Sequence, residues 1–185
     1  MLFRSSAGRL CSFAAGLSSG LSALLAISFT AIPVRSMVFS DDFDLNPAGL
    51  NVVPLGWSVS DGTVDLIGRG FFDVLPASGH GMYVDLDGSS YQSGTLVKTV
   101  VLEGHTPYQL SFDLAGNQRG WAETVDVAFG DSTMTYSEIP SSQPFFTYSL
   151  FFTPPSSGDF PISFHNYGGD NIGALLDNVN VRKLL

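Results

Sequence analysis

Of the 185 residues only one is a cysteine, and it is Cys11. The rest of the chain can form no disulfide and no thiolate metal centre, so its stability must come from a packed core. Basic residues are scarce too, with 8 Lys and Arg against 17 Asp and Glu. Three of the 8 precede Ser36 while all 17 acids follow it, which leaves that longer part with 5 basic residues and a net charge of −12. Such a surface repels phosphate backbones and anionic lipid, which argues against a nucleic-acid partner. Calcium or a neutral polymer is accommodated more easily.

Catalytic motifs are as thin as the thiols. The Gly-x-Ser-x-Gly match, "GLSSG" at Gly16 to Gly20, lies inside a hydrophobic stretch where no strand-to-helix turn forms around it. His80, His105 and His165 are scattered, without the paired spacing of a zinc site, and read as loop or surface residues. A glycosidase needs two carboxylates flanking a cleft. With 17 acids in the chain, candidate pairs are guaranteed and their presence carries no weight. No catalytic residues are assigned, and an enzyme is not expected.

What is present begins with the N-terminus. Arg4 and Arg9 precede "AAGLSSGLSALLAISFTAI", Ala14 to Ile32, which holds no charge. This reads as a secretory signal peptide over residues 1–36, with Val34 and Ser36 acceptable at the minus-three and minus-one positions. An uncleaved anchor is the alternative, since the run approaches the ~20 residues of a spanning helix. Its Ser and Gly content favours cleavage. The expectation is one domain at 37–185, secreted to the extracellular space or periplasm, with no membrane anchor after signal removal.

From residue 38 onward the pattern alternates with period two between turns rich in Gly, Pro, Asn, Asp and Ser, and no segment sustains helical periodicity. Strands are predicted at 38–43, 56–59, 63–67, 82–86, 95–102, 108–115, 124–129, 145–152, 160–166 and 174–182, with a shorter one at 134–137. So many strands without an intervening helix imply an all-β fold, antiparallel sheets packed as a β-sandwich or jelly roll. In "YQLSFDLAG" the residues Leu110, Phe112 and Leu114 alternate with Gln109, Ser111 and Asp113, as a half-buried strand requires. The run "PFFTYSLFF", Pro144 to Phe152, is apolar on both faces and suits a central strand. In "GALLDNVNV", Gly173 to Val181, strict alternation puts Asp177 on one face with Leu175, Val179 and Val181. An unpaired charge there costs several kcal/mol, roughly, unless hydrogen-bonded, paired or bound to a metal.

Taken in order, "DDFD", "GWSVSDGTVDLIG", "GHGMYVDLDGSS", "YQLSFDLAGN" and "GALLDNVNV" resemble the domain of unknown function 642 family and its bacterial secreted relatives. The resemblance spans Phe39 to Val181. It implies a galactose-binding-like jelly roll related to carbohydrate-binding modules and, in plants, associated with cell-wall polysaccharide. Similar bacterial chains often end in a sorting tail that begins Pro-Glu-Pro, which is not expected here because the sequence stops at "VRKLL". The resemblance further implies a structural calcium shared by an acidic residue of the first strand and an Asp of the last, matching Asp44 and Asp177. The alternative is that Asp177 accepts backbone N–H groups and Asp44 caps a loop.

"DDFDLN" is not an EF-hand, because Pro47 and Val53 stand where Gly and Glu are needed. "DLDG" reads as a turn in which Asp87 bonds its own backbone. For a ligand, the strongest segment is the loop "AGNQRGWAE", where Trp121 offers a flat face and Asn117, Gln118 and Arg119 offer hydrogen bonds to sugar hydroxyls. Trp121 folded back over the core is the bland alternative. Trp57 reads as core, and Phe71 and Phe72 as either exposed aromatics or a small cluster under a loop. The function expected is a non-catalytic module binding polysaccharide or glycan, stabilised by calcium. A structural or protein-interaction domain of the cell envelope is second, and a polysaccharide hydrolase third.

Overall fold

A computed structural model describes residues 36–76 and 79–184; the expected leader up to Arg35, including Cys11, lies outside them. Among the described residues the elements are strands alone. They are β1 (Ser36–Asp41), β2 (Ser58–Ser60), β3 (Asp65–Gly68), β4 (Met82–Asp85), β5 (Thr95–Leu102), β6 (Tyr108–Ala115), β7 (Glu123–Phe129), β8 (Ser132–Ile139), β9 (Phe146–Phe152), β10 (Gly158–Asn166) and β11 (Leu175–Lys183). Each predicted segment overlaps one of them. The first sheet runs β3-β4-β11-β6-β9, with β1 also paired to β11, and the second runs β2-β5-β10-β7-β8. The fold is an all-β antiparallel sandwich, as the alternation requires.

The core lies between the sheets because each strand turns one alternate set of side chains inward. Leu110, Phe112 and Leu114 of β6 meet Val125, Val127 and Phe129 of β7 and Ile162 and Phe164 of β10 in one buried cluster. Phe112 sits near its middle, with ring centroids 5.1 Å from Phe164, 5.7 Å from Tyr136 and 6.2 Å from Tyr148. Trp57 is core, as expected; its indole Nε1 donates to Asp41 Oδ2 at 2.8 Å, so its one polar group is satisfied.

A second, smaller cluster covers the outer face of the first sheet. Ile67, Tyr83, Ala115 and Leu175 pack there beneath Val74, Leu75 and Phe145. The Tyr83 hydroxyl donates to Asp73 Oδ1 at 2.9 Å and accepts the Val74 and Leu75 N–H groups, which pins the segment after β3 over the sheet.

Two expectations are corrected here. The apolar run of β9 is not central: β9 ends the first sheet, with Phe146 and Phe151 exposed, while Phe145, just before the strand, packs on the satellite cluster. Strict alternation also fails in β11. Pairing with β6 steps from Asp177↔Asp113 to Asn180↔Ser111, one extra residue on β11, and Asn178 takes a φ of 51°. This β-bulge puts Leu176, Val179 and Val181 in the main core and sends Leu175 and Asp177 to the outer face. Asp177 therefore never enters the main core.

Candidate functional site

Among the described residues the second sheet leaves its outer face open. On β7 the outward set is Thr124, Asp126 and Ala128; on β10 it includes Ser163 and His165; on β8 it includes Thr133 and Thr135, paired opposite Ala128 and Asp126. Asp126, Thr133, Thr135, Ser163 and His165 line a hollow of about 330 Å³. A second hollow of about 530 Å³ adjoins it through His165 and is walled by Asp61, Tyr91, Gln92, Ser93 and Tyr167. Together they form a groove rich in hydroxyl groups across the strands.

Two exposed rings stand on its rim. Tyr91, on the β4–β5 connection, is 64% exposed, and Tyr167, just after β10, is 60% exposed. Tyr167 is nonetheless fixed: its hydroxyl donates to Asp126 Oδ2 at 2.7 Å, its N–H donates to the Thr124 carbonyl at 2.8 Å, and its ring lies 5.3 Å from that of His165. Hydrogen bonds from Thr135 and Tyr167 hold the Asp126 carboxyl below the usual carboxylate range, and the same contact raises the Tyr167 phenol. Asp126 thus stays ionised and stays oriented.

The loop behind Tyr167 is held from within. Asp87, fully buried, accepts the Gly169 N–H at 2.5 Å and the Asp170 N–H at 3.2 Å through Oδ2. Asp87 therefore serves a segment some 80 residues away, not its own turn; it is Asp85 whose Oδ1 accepts the Asp87 N–H. Asn166, also fully buried, donates to Glu123 Oε2 and accepts the Ala174 N–H, and Ser93 donates to its carbonyl. Burial raises the Glu123 carboxyl in turn.

The loop expected to carry a ligand is organised differently from its reading. Asn117 is buried, donating to Glu123 and to the Trp121 carbonyl and accepting the Arg119 and Gly120 N–H groups. Gln118 donates to the Gly116 and Gln143 carbonyls, and Arg119 pairs with Asp85. These three side chains shape the loop. Trp121 projects, at 83% exposed, so it does not fold back over the core. Phe71 and Phe72 are exposed and packed edge to face on each other, at 4.9 Å. Tyr91 and Tyr167 were missed by sequence reasoning, since neither belongs to a motif; only the Tyr-Gly-Gly step after β10 marked a tight loop.

Asp44 and Asp177, from opposite ends of the chain, do come to one place. With Asp42, His80, Gly81 and Asn178 they line a polar hollow of about 230 Å³. Asp44 pairs with Arg69 at 2.7 Å and accepts the Met82 N–H at 2.7 Å; Asp177 meets His80 Nδ1 at 2.9 Å and accepts the Asn178 N–H at 2.7 Å. A Cβ on Gly81 would lie 1.6 Å from Asp44 Oδ1, so only glycine lets that carboxylate in. Burial raises the Asp177 carboxyl to about 6, against the pull of His80. Three carboxylates and a carboxamide are the oxygen donors calcium takes, so the residue types fit. Arg69 and His80 now hold two of those carboxylates, and among the described residues no three His, Cys, Asp or Glu are grouped as a metal centre.

No family model and no curated protein matches the chain. Solved structures do match in fold. The CBM22-1 xylan-binding domain from Paenibacillus barcinonensis Xyn10C superposes with a TM-score of 0.54 at 12% identity, covering 83% of this chain and 98% of that one. The K3 cleaved adhesin domain of Lys-gingipain from Porphyromonas gingivalis gives 0.55 at 12%, covering 80% and 99%. TmCBM61, solved in complex with beta-1,4-galactotriose, gives 0.51 at 16%, covering 69% and 88%. At such identity the likeness shows the fold alone, an antiparallel β-sandwich found in these carbohydrate-binding modules and in the adhesin domain.

Proposed function

We propose that this chain is a secreted, non-catalytic carbohydrate-binding module, residues 1–36 being its leader and 37–185 its single domain, and that a polysaccharide lies along the outer face of the second sheet. The observation that carries this is the groove itself: Tyr91 and Tyr167 rim a surface of Thr, Ser, Asp and His side chains. Sugar rings stack on such faces while their hydroxyls exchange hydrogen bonds with the polar floor. Resemblance to the domain of unknown function 642 family and the carbohydrate-binding-module fold support the reading. Trp121 supplies a further exposed ring on a loop that Asn117, Gln118 and Arg119 hold. The test is a polysaccharide array with the purified protein, followed by titration. Tyr91→Ala and Tyr167→Ala should each weaken binding about tenfold, or 1.4 kcal/mol, with an unchanged circular-dichroism spectrum and no release of reducing sugar by any variant. Absence of binding to every polysaccharide would overturn the proposal.

A structural calcium belongs to the same proposal, held by Asp44 and Asp177 with Asp42 beside them. When bound it would tie the segment after β1 to the last strand. Saturating calcium should raise the melting temperature by about 5 °C or more, and Asp177→Ala should remove the shift. An unchanged melting curve in chelator sinks this part alone.

A structural or protein-interaction role in the cell envelope is the second reading. What favours it is β9, a sheet-edge strand with exposed Phe146 and Phe151, since open edges accept a partner strand.

A further inference from the structure

We propose that the groove selects by charge: it takes polysaccharides of uncharged or amino sugars and excludes those bearing uronate or sulfate groups. This rests on the reading of the groove as a glycan site. The five strands of the second sheet contain a single basic residue, Lys98. Lys98 shares the inward phase of β5 with Leu96 and Val100, donates to the Gly56 carbonyl at 2.6 Å and lies 5.0 Å from the Phe39 ring, so it is turned away from the outer face. The other four basic residues after Ser36 also sit elsewhere. Arg69 is engaged with Asp44, Arg119 with Asp85 and Lys183 with Glu103, while Arg182 belongs to β11 in the first sheet.

The outer face is by contrast acidic. Asp126 stands in the middle of the groove and Asp61 in its wall. Asp159 lies on the outward phase of β10, two pairs along from Ser163. Glu138, exposed at the β8 bulge opposite Thr124, adds a further carboxylate. The rest of the face is Thr, Ser, Val, Ala and Pro, with His165 the remaining titratable side chain on these strands' outward set. A carboxylate or sulfate on a bound sugar would meet Asp126 or Asp61 at contact range with no guanidinium or ammonium to answer it, and like charges brought together in a partly desolvated groove repel strongly. Hydroxyls have the opposite relation, because they can donate to those same carboxylates. An ammonium on an amino sugar gains the attraction that a uronate loses.

The experiment compares polymers that share a backbone and differ in charge: arabinoxylan with glucuronoxylan, fully methyl-esterified with de-esterified homogalacturonan, and chitin with chitosan oligosaccharides. Dissociation constants are measured by titration calorimetry on the purified protein at low salt and in 1 M NaCl, where the Debye length falls to about 3 Å. The expected result is that a xylan or homogalacturonan backbone binds at least about tenfold more weakly in its anionic form. In 1 M salt that gap should narrow, and Asp126→Asn and Asp61→Asn should each narrow it at low salt. Chitosan oligosaccharides should bind at least as tightly as chitin, and weaker binding of the cationic member overturns the amino-sugar part. An anionic member that binds as tightly as its neutral counterpart overturns the charge selection and leaves the glycan reading standing. Failure of every polymer in the panel and on the array overturns the glycan reading, and this inference with it.

Discussion

Asp85 is 2% exposed, yet it carries a carboxyl that meets Arg119 and accepts N–H groups from Asp87 and Gly173. Burial dominates and pushes it up to about 7, against the pull of Arg119 and both N–H donors. Its folded value therefore lies above its ordinary 3.8, so folding favours the protonated form. The stabilisation this gives is complete below about 4 and is lost as pH rises through about 7. Glu123, raised by burial, acts in the same direction. The melting temperature should fall between pH 5 and pH 8, and Asp85→Asn, which keeps an acceptor for the two N–H groups, should make that fall shallower. An identical slope in the variant, followed by calorimetry at several pH values, would show that Asp85 is not the group responsible. The same residue shows why such sites hide in a sequence: "DLDG" has the form of a turn, and nothing local tells that Asp87 serves Gly169 and Asp170 while Asp85 holds Asp87.

Among the elements, every strand was visible in the period-two pattern because half-buried antiparallel strands write their burial into the chain. β5 and β6 match their predicted bounds to the residue. Which strand neighbours which was less visible. The two apolar faces of β9 suit either a central strand or an edge strand capped by a satellite cluster, and Phe145 beside Tyr83, with ring centroids at 5.8 Å, shows the second arrangement. Parity fails at Asn178 for a related reason. A bulge adds one residue with no compositional mark beyond an asparagine, the residue that tolerates a positive φ at low cost. Asp113 accepts from Asn178 Nδ2 at 2.9 Å, so the extra residue is tied across to β6. The rim of the groove was hidden for the opposite cause: Tyr91 and Tyr167 lie 76 residues apart on separate loops, and only the pairing of β5 with β10 brings their ends together.

At the scale of the whole molecule, one core joins both sheets, and the last strand closes it by pairing with β1, β4 and β6. A single cluster contributed by both sheets cannot be dismantled on one side alone without exposing the inner face of the other, so unfolding should be one cooperative transition. Within it, β6, β10 and β11 have neighbours on both sides, whereas β2, β8 and β9 end their sheets. Amide exchange should be slowest in the first set and fastest in the second. The groove floor then lies mostly on β7 and β10, which have neighbours on both sides, with β8 as its more freely exchanging edge, and its rim belongs to connections that also exchange more freely. A bound polysaccharide should slow exchange mainly in residues 86–94 and 167–174 and along β8, since β7 and β10 are already protected and the rim and the sheet edge are what a ligand would order. Hydrogen-exchange mass spectrometry with and without the tightest-binding polymer measures this directly. Two separate unfolding transitions would refute the single core, and protection confined to the 116–122 loop would move the binding surface from the groove to Trp121.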